Sequence, residues 1–225
     1  ADGTVAVGYS ALAALTSGAG NVAIGYQALS AHTTGTYSLA IGSGVLQHSV
    51  DGAYNIGIGH GAMSDWDAGT TVDGSNQNVM IGVNAGGGAW TNVQSNFNVG
   101  IGNYVMDAVM DGALNNTAVG YSALSALTTG DGNVAIGYEA GNDVSTGNSN
   151  VLIGAYSGDK ITTSELIVAI GYQALSGATT EADGNTAVGY QSMDGDWTTA
   201  AHVNSTAIGR GTMRGVLTDA SSGAV

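Results

Sequence analysis

Apolar and small residues alternate over three positions that recur throughout the chain, each time closed by a glycine and usually opened by an asparagine. The fullest form is Asn21-Val22-Ala23-Ile24-Gly25-Tyr26-Gln27-Ala28-Leu29. With the glycine as marker, copies fall at Gly8, Gly25, Gly42, Gly59, Gly82, Gly102, Gly120, Gly137, Gly154, Gly171, Gly189 and Gly209, twelve in all. Their spacings are 17, 17, 17, 23, 20, 18, 17, 17, 17, 18 and 20 residues, a period of 17 that is lengthened but never shortened. A fixed period of this kind defines a repeat fold and overrides the one or two globular domains that length alone would suggest. Residues 1–225 therefore read as a single repeat domain.

The residue before the marker is Ile or Val in all twelve copies, and two positions further back stands Val, Leu, Ile or Thr. Both lie on one face of a strand, because side chains alternate with period two. Between them sits Ala or Gly in ten copies, with Met80 and Leu152 as exceptions, so the opposite face is narrow enough for another backbone or sheet to approach. Leu or Met follows four residues after the marker in nine copies and gives each unit a second apolar anchor. A helix is ruled out by β-branched residues alternating with small ones over so few positions between breakers.

Four residues before the marker, Asn recurs as Asn21, Asn55, Asn78, Asn98, Asn116, Asn133, Asn150 and Asn185. Asn tolerates left-handed corners, and equivalent side chains one coil apart can hydrogen-bond as a ladder. A 17-residue unit is too short for a propeller blade or a leucine-rich repeat and lacks the glycine-aspartate nonapeptide of calcium-binding rolls. The expected fold is all-β: a parallel β-solenoid, a β-roll or β-helix, of twelve coils. Each coil holds only three or four sizeable apolar residues. Neighbouring chains are therefore expected to complete the core, in an intertwined or side-by-side homotrimer.

Composition narrows the function. Gly supplies 38 of 225 residues and Pro and Cys are absent, yet 44 % of the chain is hydrophobic, too much for a disordered segment. Three basic residues against 17 acids give a net charge of −14, which excludes binding to a phosphate backbone. No apolar run is long enough for a spanning helix, and an N-terminus without Met or signal peptide reads as that of a fragment.

Asn133-Val134-Ala135-Ile136-Gly137 and Asn116-Thr117-Ala118-Val119-Gly120 resemble the head repeats of trimeric autotransporter adhesins. The longer form, Asn-Thr-Ala-Val-Gly-Tyr with Leu or Met and then Thr-Thr-Gly, is similar to repeats of bacteriophage tail fibres and tailspikes. The resemblance spans essentially the whole chain. It implies a trimeric, surface-exposed solenoid that adheres to a cell or carries a receptor-binding tip, located in a virion fibre or, alternatively, on a bacterial surface. The chain departs from it in its longer period and in the loss of the corner Asn at Ile167.

Three connections are long, at 64–77, 87–97 and 194–204, and each holds one of the three tryptophans: Trp66, Trp90 and Trp197. Two set Trp beside paired acids, Asp65-Trp66-Asp67 and Asp194-Gly195-Asp196-Trp197. Aromatic faces with carboxylates hold sugar rings, and loops on a rigid scaffold are where binding is placed. These seven residues are the candidate contacts for a host glycan or receptor. The competing reading makes each Trp a plug over a flank or subunit seam. Neither acid cluster has the oxygen spacing of a calcium loop, and no metal or cofactor is expected.

Tyr follows the marker in six copies, which predicts a stripe of stacked phenols. Thr or Ser at eight and nine residues past the marker forms a second array, which on a flat solenoid could order water as ice-binding proteins do, or could cap turns. No nucleophile elbow, Cys nucleophile, phosphate loop or His cluster with metal spacing appears, so no enzyme is expected. Polysaccharide cleavage by acids paired across a groove is the residual catalytic reading.

Overall fold

The structure, a computed structural model, describes residues 2–65, 74–90, 93–177, 182–195, 202–214 and 221–222. It is all-β, with one short strand per coil and no helix among the described residues. The chain divides into two compact units, residues 1–115 and 116–225. The first holds β1 (Val5–Val7), β2 (Val22–Ile24), β3 (Leu39–Ile41), β4 (Ile56–Ile58), β5 (Val79–Ile81) and β6 (Val99–Ile101). The second holds β7 (Thr117–Val119), β8 (Val134–Ile136), β9 (Val151–Ile153), β10 (Val168–Ile170), β11 (Thr186–Val188) and β13 (Thr206–Ile208). A separate parallel pair joins β12 (His202–Val203) to β14 (Ser221–Ser222).

Within each unit the strands run parallel and in register, so each side chain meets its counterpart in the next coil. Val22 pairs with Leu39, Ala23 with Ala40 and Ile24 with Ile41 in the first unit. Thr117, Ala118 and Val119 pair with Val134, Ala135 and Ile136 in the second. The parallel β-solenoid expected from the period is thus observed, with coils of about 17 residues.

The marker glycines set how closely coils can stack. Gly25 has φ +141° and Gly120 has φ +141°, outside the range of ordinary L-residues. A β-carbon on either would collide with the carbonyl of the marker in the next coil, Gly42 or Gly137. The corner before each strand is closed by asparagine. Asn133 Nδ2 donates to Gly147 O at 2.8 Å and to Asn116 Oδ1 at 3.0 Å, while the Asn150 N–H donates to Asn133 Oδ1 at 3.0 Å. The expected Asn ladder exists, but most of its bonds link a side chain to the next coil's backbone. All eight corner asparagines are fully buried, where an unpaired carbonyl or N–H would cost about 1–3 kcal/mol. Where the residue is Ile167, its N–H still donates to Asn150 Oδ1 at 3.0 Å, so the corner survives on the preceding coil's side chain.

The core lies between the small-residue face of the strands and the segment that follows the marker. Ala23, Ala40, Ala118 and Ala135 are fully buried, as are Ala28, Leu29, Val45 and Leu46 opposite them. The small face therefore approaches its own coil's return segment. At those positions no surface is left for a neighbouring chain. It is the Val and Ile face that points outward: Val7, Ile24, Ile101, Ile136 and Ile208 are exposed.

Volume is conserved from coil to coil. The two large strand centres, Met80 and Leu152, occur where the Leu or Met column has lost its side chain. A β-carbon on Gly86 would meet Met80 Cγ and Trp90 Cζ2, both at 3.1 Å. One on Gly141 or Gly158 would meet Leu152, at 2.6 and 2.8 Å respectively. His32 takes a core position, fully buried, with Nδ1 3.3 Å from Ser49 O; burial lowers its pKa, only partly opposed by backbone hydrogen bonds and the charge of Asp51.

Candidate functional site

The tyrosine column behaves differently in the two units. In the second, Tyr121 and Tyr138 stack with centroids 5.3 Å apart, Tyr138 and Tyr156 meet edge-on at 5.3 Å, and Tyr156 and Tyr172 do so at 6.0 Å. Tyr172 and Tyr190 stack at 5.4 Å, and the Arg210 guanidinium lies 5.4 Å from the Tyr190 centroid. Each inner ring therefore has aromatic neighbours above and below. In the first unit Tyr9 and Tyr26 stack at 5.6 Å, 12° from parallel, and then the column changes to Ser43 and His60.

A cavity of about 260 Å³ opens beside Tyr26, where that column breaks. Two glycines make the space. Gly44 (φ +67°) and Gly61 (φ +66°) stand two residues past their markers, where the preceding coil carries Gln27 in the same left-handed conformation at φ 55°. The tight corner needs positive φ, but it does not need glycine, since Gln173 and Gln191 also hold it at φ 51°. Consecutive glycines thus remove side chains that would otherwise fill the groove.

The walls are polar. Gln47 Nε2 donates to Gln27 Oε1 at 3.4 Å, and Asn84, Ser64 and His60 also face the space. Asp65 closes one side, with its Oδ1 3.3 Å from His48 Nδ1, which is also 2.9 Å from Ser64 O. An aromatic face, amides able both to donate and to accept, and one carboxylate form a set that binds hydroxylated rings.

The candidates from the sequence fare differently. Asp65 lines the cavity and is half exposed. Trp90 is 1 % exposed and fills the core beside Gly86, so its ring offers no outward face, and the plug alternative describes it. Asp194 accepts from Ser176 Oγ at 2.5 Å and lies 3.7 Å from Arg214 Nε, far along the chain in the second unit. Trp66, Asp67, Asp196 and Trp197 lie outside the described residues. Tyr26 enters the sequence reading only as part of the phenol stripe and His60 only as a histidine without metal spacing, while Gln27, Gln47 and Asn84 escape it, although the break in the tyrosine column and the paired glycines at 44 and 61 signal all five.

In the hydroxyl array, the first member of four described pairs bonds to the backbone of the next coil. Thr16 Oγ1 donates to Thr33 O at 2.9 Å, Thr33 Oγ1 to Val50 O at 3.1 Å and Thr128 Oγ1 to Ser145 O at 3.0 Å. These bonds cap turns between coils, which is the alternative to ordering water. Among the described residues no three His, Cys, Asp or Glu side chains gather as for a metal, and no helix is long and apolar enough to cross a membrane.

Compared with known proteins, the chain matches no family model, no curated protein and no solved structure. The residues themselves carry the functional reading.

Proposed function

We propose that this chain is an adhesive segment of a surface fibre of the tail-fibre type, non-enzymatic and assembled as a homotrimer, that contacts cell-surface glycan through the cavity beside Tyr26. The observation that carries the reading is that cavity: an exposed aromatic ring opening onto amides and a carboxylate, on a scaffold held rigid by in-register coils. Binding sites placed on such scaffolds lose little to ordering on association. The outward rows of Val and Ile support assembly with further chains, because contiguous apolar surface of this kind is a mark of interfaces.

Adsorption of the purified chain to a panel of bacterial cells and their extracted surface polysaccharides tests it. Tyr26→Ala removes a ring contact worth about 0.5–1.5 kcal/mol, so adsorption to the responsive surface is expected to weaken about 2- to 12-fold. Adsorption that Tyr26→Ala leaves unchanged sinks the site.

A further inference from the structure

The first unit, which holds the cavity, contains seven aspartates (Asp2, Asp51, Asp65, Asp67, Asp73, Asp107 and Asp111) and no Lys or Arg, a formal charge of −7. Lys160, Arg210 and Arg214 all belong to the second unit. An acidic sugar entering the cavity would therefore find no ammonium or guanidinium to pair with its carboxylate, sulfate or phosphate. It would find Asp65 instead, a group that only accepts hydrogen bonds when ionised. Of the imidazoles, His60 faces the space, while His48 is engaged by Asp65 and by the Ser64 carbonyl, so among the described residues Asp65 is the one carboxylate and His60 the one imidazole that a ligand meets.

The neutral part of the lining has the opposite character. Gln27, Gln47 and Asn84 each offer an N–H₂ and a carbonyl, which suits hydroxyls that donate and accept at once. Tyr26 supplies one open aromatic face, its other being stacked on Tyr9. At about 260 Å³ the space lies below the roughly 300–1,000 Å³ of sites for drug-sized ligands, so it suits one ring rather than a run of them.

We propose that the cavity is a subsite for a single pyranose ring bearing no negative charge, stacked on Tyr26 with a hydroxyl or N–H donating to Asp65, and that Asp65 makes it reject acidic sugars. The assignment rests on the adhesive reading above and narrows its ligand. The full chain is titrated at pH 7.5 with glucose, galactose and N-acetylglucosamine, and with glucuronate, galacturonate and N-acetylneuraminate, by saturation-transfer NMR and calorimetry. At least one uncharged sugar is expected to bind, with its acidic counterpart tenfold weaker or worse.

Gly44→Gln places in the cavity a side chain that the preceding coil already carries, as Gln27, in the same left-handed conformation, and it is expected to abolish that binding. Asp65→Asn, at a half-exposed position that cannot disturb the core, is expected to narrow the gap between neutral and acidic sugars to within about threefold. Acidic sugars binding as tightly as neutral ones, or neutral binding that survives Gly44→Gln, overturns the assignment. Adhesion to cells with no monosaccharide bound overturns it while leaving the adhesive reading standing. Absence of any adhesion removes both.

Discussion

At the scale of single residues, the corner asparagine is the group on which each coil most depends. Asn133 is buried and satisfies Gly147 O and the Asn150 N–H, two groups that strand pairing does not reach. Asn133→Ala would leave both without partners in a dry interior. Chemical denaturation should show a loss of about 2–6 kcal/mol, two unsatisfied buried groups at about 1–3 kcal/mol each. A loss below about 1 kcal/mol would mean that water or a neighbouring amide takes over. This role was legible in the sequence, because a polar residue returning at a fixed offset beside an apolar run has few uses other than a corner. The direction of its bonds was not, since spacing alone does not separate side chains bonding to each other from side chains bonding to the next backbone.

At the scale of the coil, the packing rule is conservation of volume between two columns. Leu152 fills the space that Gly141 and Gly158 leave, whereas most coils pair a small strand centre with Leu or Met four residues past the marker. Leu152→Ala is expected to open a cavity and cost about 2–5 kcal/mol. Adding Gly158→Leu, with φ 57° already suited to the residue that Leu29 holds at φ 50°, should recover part of it, so the two changes are non-additive in a double-mutant cycle. Strict additivity would contradict the rule. Both columns were visible in the sequence, and so were their exceptions. Their coupling was not, because it depends on which side chains meet across the coil. The orientation of the strand was half legible for the same reason: alternation separates two faces but does not say which is enclosed, and here the bulkier Val and Ile face is the outer one.

At the scale of the whole molecule, the proposed site depends on interruption of the repeat. Regular coils supply rigidity and a sealed surface of stacked tyrosines and backbone-bonded threonines. The cavity forms where three features change together, with Ser43 and His60 in place of tyrosine, Gly44 and Gly61 where the preceding coil has Gln27, and the long 64–77 connection beginning at Ser64. Tryptophan in the long connections drew attention to Asp65, which lines the cavity, and also to Trp90, which the core consumes. A site made by missing side chains leaves a weak trace in a sequence. It emerges only when the repeat is aligned and its gaps are treated as features.

The central claim is that ligand is held at this break rather than along the tyrosine column. Its most direct test is chemical-shift mapping of the isotope-labelled chain titrated with fragments of the surface glycan to which it adsorbs. The account expects perturbations centred on Tyr26, Gln47, Gly61 and Asp65, with Tyr121 to Tyr190 unmoved. Shifts confined to the tyrosine column of the second unit, with the Tyr26 cavity silent, would contradict it.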